Sequence, residues 1–290
     1  VNGALSTGQM LLLCTLYPQA VADQALHIPE SGNGISDLLD ELKYELDWLL
    51  TMQDEDGGVF HKLTAKNFSG FVSPEAYDLD RYVIGKGTAA SLDFAAVLAQ
   101  AARLLAPTNE FWSQKALEAA EKAWKWAQFN RQVAFSNPDD VKTGEYGDAQ
   151  FADDFYWAAA ELYLATQETI YLNYLQSNKE TYQHQLTNSW KFFTRNVGFA
   201  SLLIHQELID PKLYKTLKNE HLLLCDSLLE AINHHPYRIA LNTFEWGSNS
   251  DVLNQALLLC LAHQLTADEK YLMGAEQITD YIFGKNATGY

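Results

Sequence analysis

Apolar residues fall at Ile35, Leu38, Leu39, Leu42, Leu46, Leu49 and Leu50, the i, i+3, i+4 spacing of one helix face, behind a Pro/Gly/Asn turn at 28–34. The same period recurs along the chain. It predicts helices over 4–17, 35–52, 88–106, 110–129, 153–166, 168–177, 187–206, 212–232, 249–265 and 269–283. No run alternates apolar and polar residues well enough to predict a strand of any length. The expected class is all-α.

The breaks between helices echo one another. Leu164-Ala-Thr166-Gln-Glu-Thr-Ile-Tyr171 aligns without a gap on Gln264-Leu-Thr266-Ala-Asp-Glu-Lys-Tyr271, and Leu105–Trp112 is a looser third copy. Each has a helix end, a threonine-centred break, an acidic first turn and an aromatic that packs back, as in an αα-hairpin. Repeated αα-hairpins imply a solenoid or a closed toroid. A toroid of six hairpins needs twelve helices, so the ten expected here suggest an incomplete ring with one helix lacking at each end. No linker composition divides the chain, and a single domain over 1–290 is expected. Two long non-helical stretches, 54–87 and 129–152, are candidates for a cleft, because compact domains seldom carry such loops without a use for them.

Composition narrows the partners. The formal charge of −17 leaves no basic surface for phosphates, arguing against nucleic acid and anionic membranes, and would attract a cationic ligand such as an amino sugar. Aromatic residues make up 12% of the chain, enough for both a helical core and stacking surfaces for sugar rings. Cys14, Cys225 and Cys260 lie in apolar helical runs with no metal-ligand spacing and read as small hydrophobes. No apolar run is read as reaching transmembrane length and no signal peptide is visible; the compartment is left open.

Acids in the long loops or at helix starts are the first places to seek a catalytic pair: Asp78, Asp80, Asp139, Asp140, Asp148, Asp153, Asp154 and Glu245. Each has a plainer reading. Asp139-Asp140 follows Asn137-Pro138 and reads as a turn. Asp37, Asp40 and Glu41 suit the macrodipole of a first helical turn. Trp246 precedes Gly-Ser-Asn-Ser, which reads as an N-cap cluster, so it is either a platform at a helix mouth or a hydrophobic staple.

Four ordered blocks carry a resemblance: Ile28–Trp48; Gly57-Gly-Val-Phe-His-Lys-Leu-Thr; Arg81-Tyr-Val with Thr88-Ala-Ala-Ser-Leu-Asp-Phe-Ala-Ala-Val-Leu-Ala-Gln-Ala-Ala-Arg; and Tyr281-Ile-Phe-Gly-Lys-Asn-Ala-Thr-Gly-Tyr. Together they resemble the catalytic domain of family 9 glycoside hydrolases, which implies an α/α-toroid. It also implies inverting hydrolysis of a β-1,4-linked glucose or glucosamine oligosaccharide with no cofactor needed for chemistry. The wording of two blocks is closer to the exo-acting branch. In that family the water-activating aspartates precede a Val-Asn-Gly segment, here Val1-Asn2-Gly3, and the general acid follows the block that here ends at Tyr290. The resemblance thus places no catalytic carboxylate within the chain. The alternative is a saccharide-binding or inert fragment.

Other roles are implied position by position. Trp246 falls in a block similar to the family's Trp-Gly-Ser, whose Trp belongs to the sugar cleft. His61, Arg81 and Tyr82 resemble cleft-rim segments and could donate to sugar hydroxyls. Asp78 and Asp80 could accept from hydroxyls, hold an ammonium group, or simply pair with Arg81. Tyr146 could line the cleft. The acidic helix start at Asp153-Asp154, with Asp148, matches a place where family members can bind calcium; its plainer reading is an acidic N-terminal turn.

Overall fold

The computed structural model describes residues 2–178 and 194–289. They form ten helices, two short strands and connecting loops, in two compact units, Val1–Asn178 and Lys179–Tyr290. The helices are α1 (Asn2–Leu16), α2 (Asp37–Leu50), α3 (Thr88–Leu105), α4 (Glu110–Phe129), α5 (Ala152–Thr166), α6 (Thr169–Ser177), α7 (Thr194–Ile204), α8 (Pro211–His234), α9 (Asn249–Thr266) and α10 (Glu269–Ile282). All ten expected helices appear, within two residues at every described end; residues 187–193 of the seventh lie outside the described residues.

The first unit is built around α3. Its alanines Ala95, Ala96, Ala99 and Ala101 are fully buried and let α4, α5 and α1 approach closely. Among the described residues α3 alone is long and apolar enough to cross a membrane, contrary to the sequence reading, and 89% of it is buried inside the protein. Its apolarity is that of a core helix. Gly8 of α1 makes one close approach possible: a Cβ there would lie 2.5 Å from the buried ring of Trp157. Arg103 and Glu161 join α3 to α5 through a 2.7 Å ion pair, with the Glu161 side chain fully buried and Trp157 Nε1 donating to it.

Between α2 and α3 the chain forms an antiparallel hairpin, β1 (Phe60–Thr64) with β2 (Tyr82–Lys86), pairing Phe60 with Lys86 and Thr64 with Tyr82. It corrects the expectation of no strand. Every residue of β1 is half-buried, so neither face is dry enough to impose alternation on the sequence. Asp37 is a second correction. Besides heading α2, its buried carboxylate accepts from the backbone of Gln24 and Leu26 and from the Ser31 hydroxyl, organising the preceding loop.

In the second unit α8, α9 and α10 enclose a core containing Leu228, Ile232, Leu259 and Ile278, closed by Ile239 and Leu241 from the following loop. His221, fully buried on α8, donates from Nε2 to the Leu258 carbonyl of α9 at 3.0 Å. Burial pushes the Cys14 thiol up to about 11 and Cys225 higher still, as expected of small hydrophobes.

The sequence echo is an echo of geometry. Gln167 and Ala267 both adopt left-handed backbone, φ 58° and 54°, and donate back to the carbonyls of Tyr163 and His263. Thr166 and Thr266 each bond the carbonyl four residues earlier and accept from the amide two residues later. Tyr171 and Tyr271 are buried beneath. The third copy differs: Ala106 stays right-handed and Asn109 caps α4 by accepting from Trp112 N.

Candidate active-site pocket

The base of the hairpin is fixed to α4. Lys86 pairs with Asp54 and Asp56 at 2.8 and 2.7 Å, and Trp126 Nε1 donates to Asp56. Along β1 the chain returns in the opposite direction through 142–146. Lys142 N donates to Lys66 O, Lys62 Nζ to Gly144 O, and His61 Nε2 to Glu145 O. Both long loops of the sequence therefore meet at β1. Phe135 lies beneath, and the space it needs explains Gly85, where a Cβ would come within 2.7 Å of its ring.

A cavity of about 200 Å³ opens above this framework. Its walls are the start of α1, Trp48 and Met52 at the end of α2, β1 from Phe60 to Leu63, Phe94 of α3, and Tyr146. His61 lies flat against Phe135 with ring centroids 3.9 Å apart. Burial holds its pKa down to about 4, so the ring is neutral at ordinary pH. With Nε2–H given to the Glu145 carbonyl, Nδ1 carries the lone pair, buried and without a protein partner. Tyr146 is in left-handed backbone, φ 51°, with its ring packed over Gly144. A bulky residue in that conformation is strained, and such strain gathers at functional sites. The arrangement offers an aromatic wall with Lys62 close by; among the described residues no acidic side chain lines it.

Of the residues singled out in the sequence, His61 and Tyr146 come together here. Arg81, Tyr82, Asp78 and Asp80 do not line this cavity. They belong to the hairpin's outer end, where the Lys66 ammonium sits 4.9 Å over the Tyr82 ring. Asp78, Asp80 and Arg81 are exposed, and among the described residues Arg81 forms no ion pair with either acid. Trp246, in the second unit, is 100% exposed. That exposure removes the staple reading. Ser248 also gives no side-chain cap, so the expected N-cap cluster does not form as such.

Asp153 and Asp154 are buried, whereas Asp148 is half-exposed and accepts from Gln150 N. Asp154 turns toward Asp93 of α3, a partner the sequence reading missed. Burial, and then the neighbouring acids, raise the pKa of Asp154, while burial raises that of Asp93. Both Asp93 oxygens and Asp154 Oδ2 have no other hydrogen-bond partner. Among the described residues no three His, Cys, Asp or Glu side chains are grouped so that they could hold a metal ion. Trp48, Phe135 and Asp93 were the other misses. Trp48 alone carried a signal, as a large aromatic lying off the apolar stripe of α2.

Comparison with known proteins gives one consistent picture. The model of Glycosyl hydrolase family 9 matches residues 1–290. A xyloglucan-specific endo-beta-1,4-glucanase of Bacteroides ovatus is 39% identical over the whole chain, which covers 52% of it. Endoglucanase D of Acetivibrio thermocellus is 33% identical over 99% of the chain, which covers 47% of that protein. Among solved structures, a family 9 protein of Bacteroides ovatus superimposes with a TM-score of 0.91 at 37% identity, over 99% of this chain and 56% of that one. A metagenome-derived family 9 endoglucanase gives 0.91 at 33% identity, over 99% and 53%. The chain thus spans about half the length of the relatives it matches.

Proposed function

The chain belongs to glycosyl hydrolase family 9, whose fold is the α/α-barrel of paired helices, and we propose that the protein carrying it hydrolyses β-1,4-linked glucans with inversion. The observation that carries the reading is the pocket at His61 and Tyr146. The neutral imidazole of His61 in its wall asks for no charged ligand. Trp48 and Tyr146 bring aromatic rings to a cavity wall where the apolar face of a sugar can rest.

Inversion needs two carboxyl groups roughly 6.5–9.5 Å apart across the scissile bond. Among the described residues the pocket walls contain none, and we assign neither acid nor base to this chain. Its part is to grip the sugar, and the 290 residues alone are expected to bind without turnover. The uninterrupted family match supports treating the two units as parts of one catalytic domain. Relatives named as endoglucanases favour a glucose polymer over an amino sugar, whose case rested on the acidic charge of the chain and on Asp78 and Asp80.

The test is a panel of xyloglucan, cellulose and chitosan, offered to the intact protein and to His61→Ala, with the product anomer read by NMR. Release of α-anomeric glucan fragments, weakened in the variant, is the expected result. Cleavage of chitosan alone, or retained anomeric configuration, overturns the reading.

A further inference from the structure

The turn that repeats after α5 and α9 leads to the same tyrosine in two different electrostatic settings. In the first turn of α10 the Tyr271 hydroxyl donates to Asp226 of α8 at 2.9 Å. Lys270 sets its ammonium 2.9 Å from the same carboxylate, 3.7 Å from Asp268 and 4.7 Å over the Tyr271 ring. Two carboxylates, an aromatic ring and one cation complete the constellation.

The first unit repeats the constellation without its cation. Tyr171 aligns with Tyr271 and Glu168 with Asp268, but Ile170 stands where Lys270 does. The second carboxylate is Glu121 of α4. Burial, then the charges of Glu121 and Glu168, raise the Tyr171 pKa. Tyr171 is 4% exposed, yet its hydroxyl has no hydrogen-bond partner among the described residues. Glu121, Glu168 and Tyr171 line one cavity of about 580 Å³, together with Trp124, Phe129 and Ile170. Lys125 reaches the same wall, but it is exposed and pairs with neither acid among the described residues.

The lining chemistry selects a ligand class. Two carboxylates against one exposed lysine disfavour an anion, and a neutral ligand leaves the acids uncompensated. An ammonium carries three donors, enough for both acids and the tyrosine hydroxyl, and an apolar stem behind it suits the Trp124, Phe129 and Ile170 side.

We propose that this cavity binds a primary alkylammonium ligand of the diamine or polyamine class, whose ammonium takes the place that Lys270 holds in the second unit, between Glu121, Glu168 and the Tyr171 hydroxyl. The site shares no residue with the His61 pocket and does not depend on the glucan reading.

The experiment is calorimetric titration of 1,5-diaminopentane into the intact protein at pH 7, with pentan-1-ol as the uncharged control. Saturable binding of the diamine and none of the alcohol is expected. Glu121→Gln should weaken diamine binding about tenfold and Tyr171→Phe about threefold, since one removes a charged partner of the ammonium and the other a neutral one. Ile170→Lys is the decisive variant. It supplies in the first unit the cation that Lys270 supplies in the second, so it should abolish diamine binding without lowering the melting temperature. Melting temperatures equal to wild type in Glu121→Gln and Tyr171→Phe assign their losses to binding. Absence of diamine binding by the unaltered protein overturns the proposal, as does binding that emerges only in Lys125→Ala, which would place Lys125 in the site. Binding unmoved by Glu121→Gln, retained in Ile170→Lys, or matched by pentan-1-ol overturns it too.

Discussion

His61 lies 7° from parallel with Phe135, its ring centroid 3.9 Å away, and while this stack holds the ring, the Glu145 carbonyl fixes its tautomer at the wall of the pocket. The Phe135 side takes one face of the ring, the Glu145 carbonyl takes Nε2–H, and Nδ1 is left buried without a side-chain partner.

A histidine so held should not titrate in the usual range. Burial disfavours the imidazolium, so NMR of the ring nitrogens is expected to report neutral Nε2–H from pH 8 down to about 5, with a midpoint near the value of about 4. A midpoint near 6.5 would mean that the ring is solvated and that the stack does not persist. Phe135→Ala should move the midpoint up by releasing the ring to water.

The Asp93–Asp154 pair leads to an expectation of pH-dependent stability. Burial raises both pKa values above the ordinary aspartate value of about 3.9, so the folded state binds more protons than the unfolded chain. Stability from this pair is therefore full at low pH and declines as the pH rises toward neutrality. Asp93→Asn removes one acid while keeping a donor for Asp154. It should raise the melting temperature at pH 8, less at pH 5 and hardly at all below about pH 4, and excess calcium should leave both proteins unchanged relative to chelator. A calcium-dependent rise in the wild type, lost in Asp154→Asn, would assign the pair to a cation instead.

The helices were legible because each buries one stripe and the stripe keeps the helical period; α2 and α8 can be read from their leucines alone. The hairpin was not, because β1 is half-buried throughout and its partner arrives only after the 65–81 crossover. The site divides the same way. His61 and Tyr146 were singled out through the resemblance, whereas Phe135 and Asp93 act only through contacts across 74 and 61 positions, to His61 and Asp154, and leave no local pattern. Asp37 was read for its place at a helix start, yet its carboxylate organises a loop six to thirteen residues upstream.

The paired turns after α5 and α9 give a stability test. Ala267 holds φ 54°, a conformation that costs an L-residue roughly 1–2 kcal/mol and a glycine little. Allowing for the greater freedom of glycine in the unfolded chain, Ala267→Gly should stabilise by about 0.5–1 kcal/mol. Ala267→Val should lower stability, since a β-branched residue fits left-handed backbone poorly. Chemical denaturation of the three proteins checks the order, and a glycine variant less stable than wild type would show that the turn is not held as described.

Trp246 separates a binding role from a structural one. Its ring is fully exposed, beside Gly247 at φ 85°, so nothing in the second unit's core depends on it. An aromatic platform under one sugar ring is worth on the order of 1–2 kcal/mol, about tenfold in affinity. In the intact protein, Trp246→Ala is therefore expected to weaken cello-oligosaccharide binding by about that factor and to leave the melting temperature unchanged. Trp157→Ala is the contrasting case. That ring is fully buried against Gly8, and its removal should cost roughly 3–5 kcal/mol of stability. If Trp246→Ala instead lowered the melting temperature and left affinity intact, the exposed tryptophan would be packing against protein, and the sugar platform would have to be sought elsewhere.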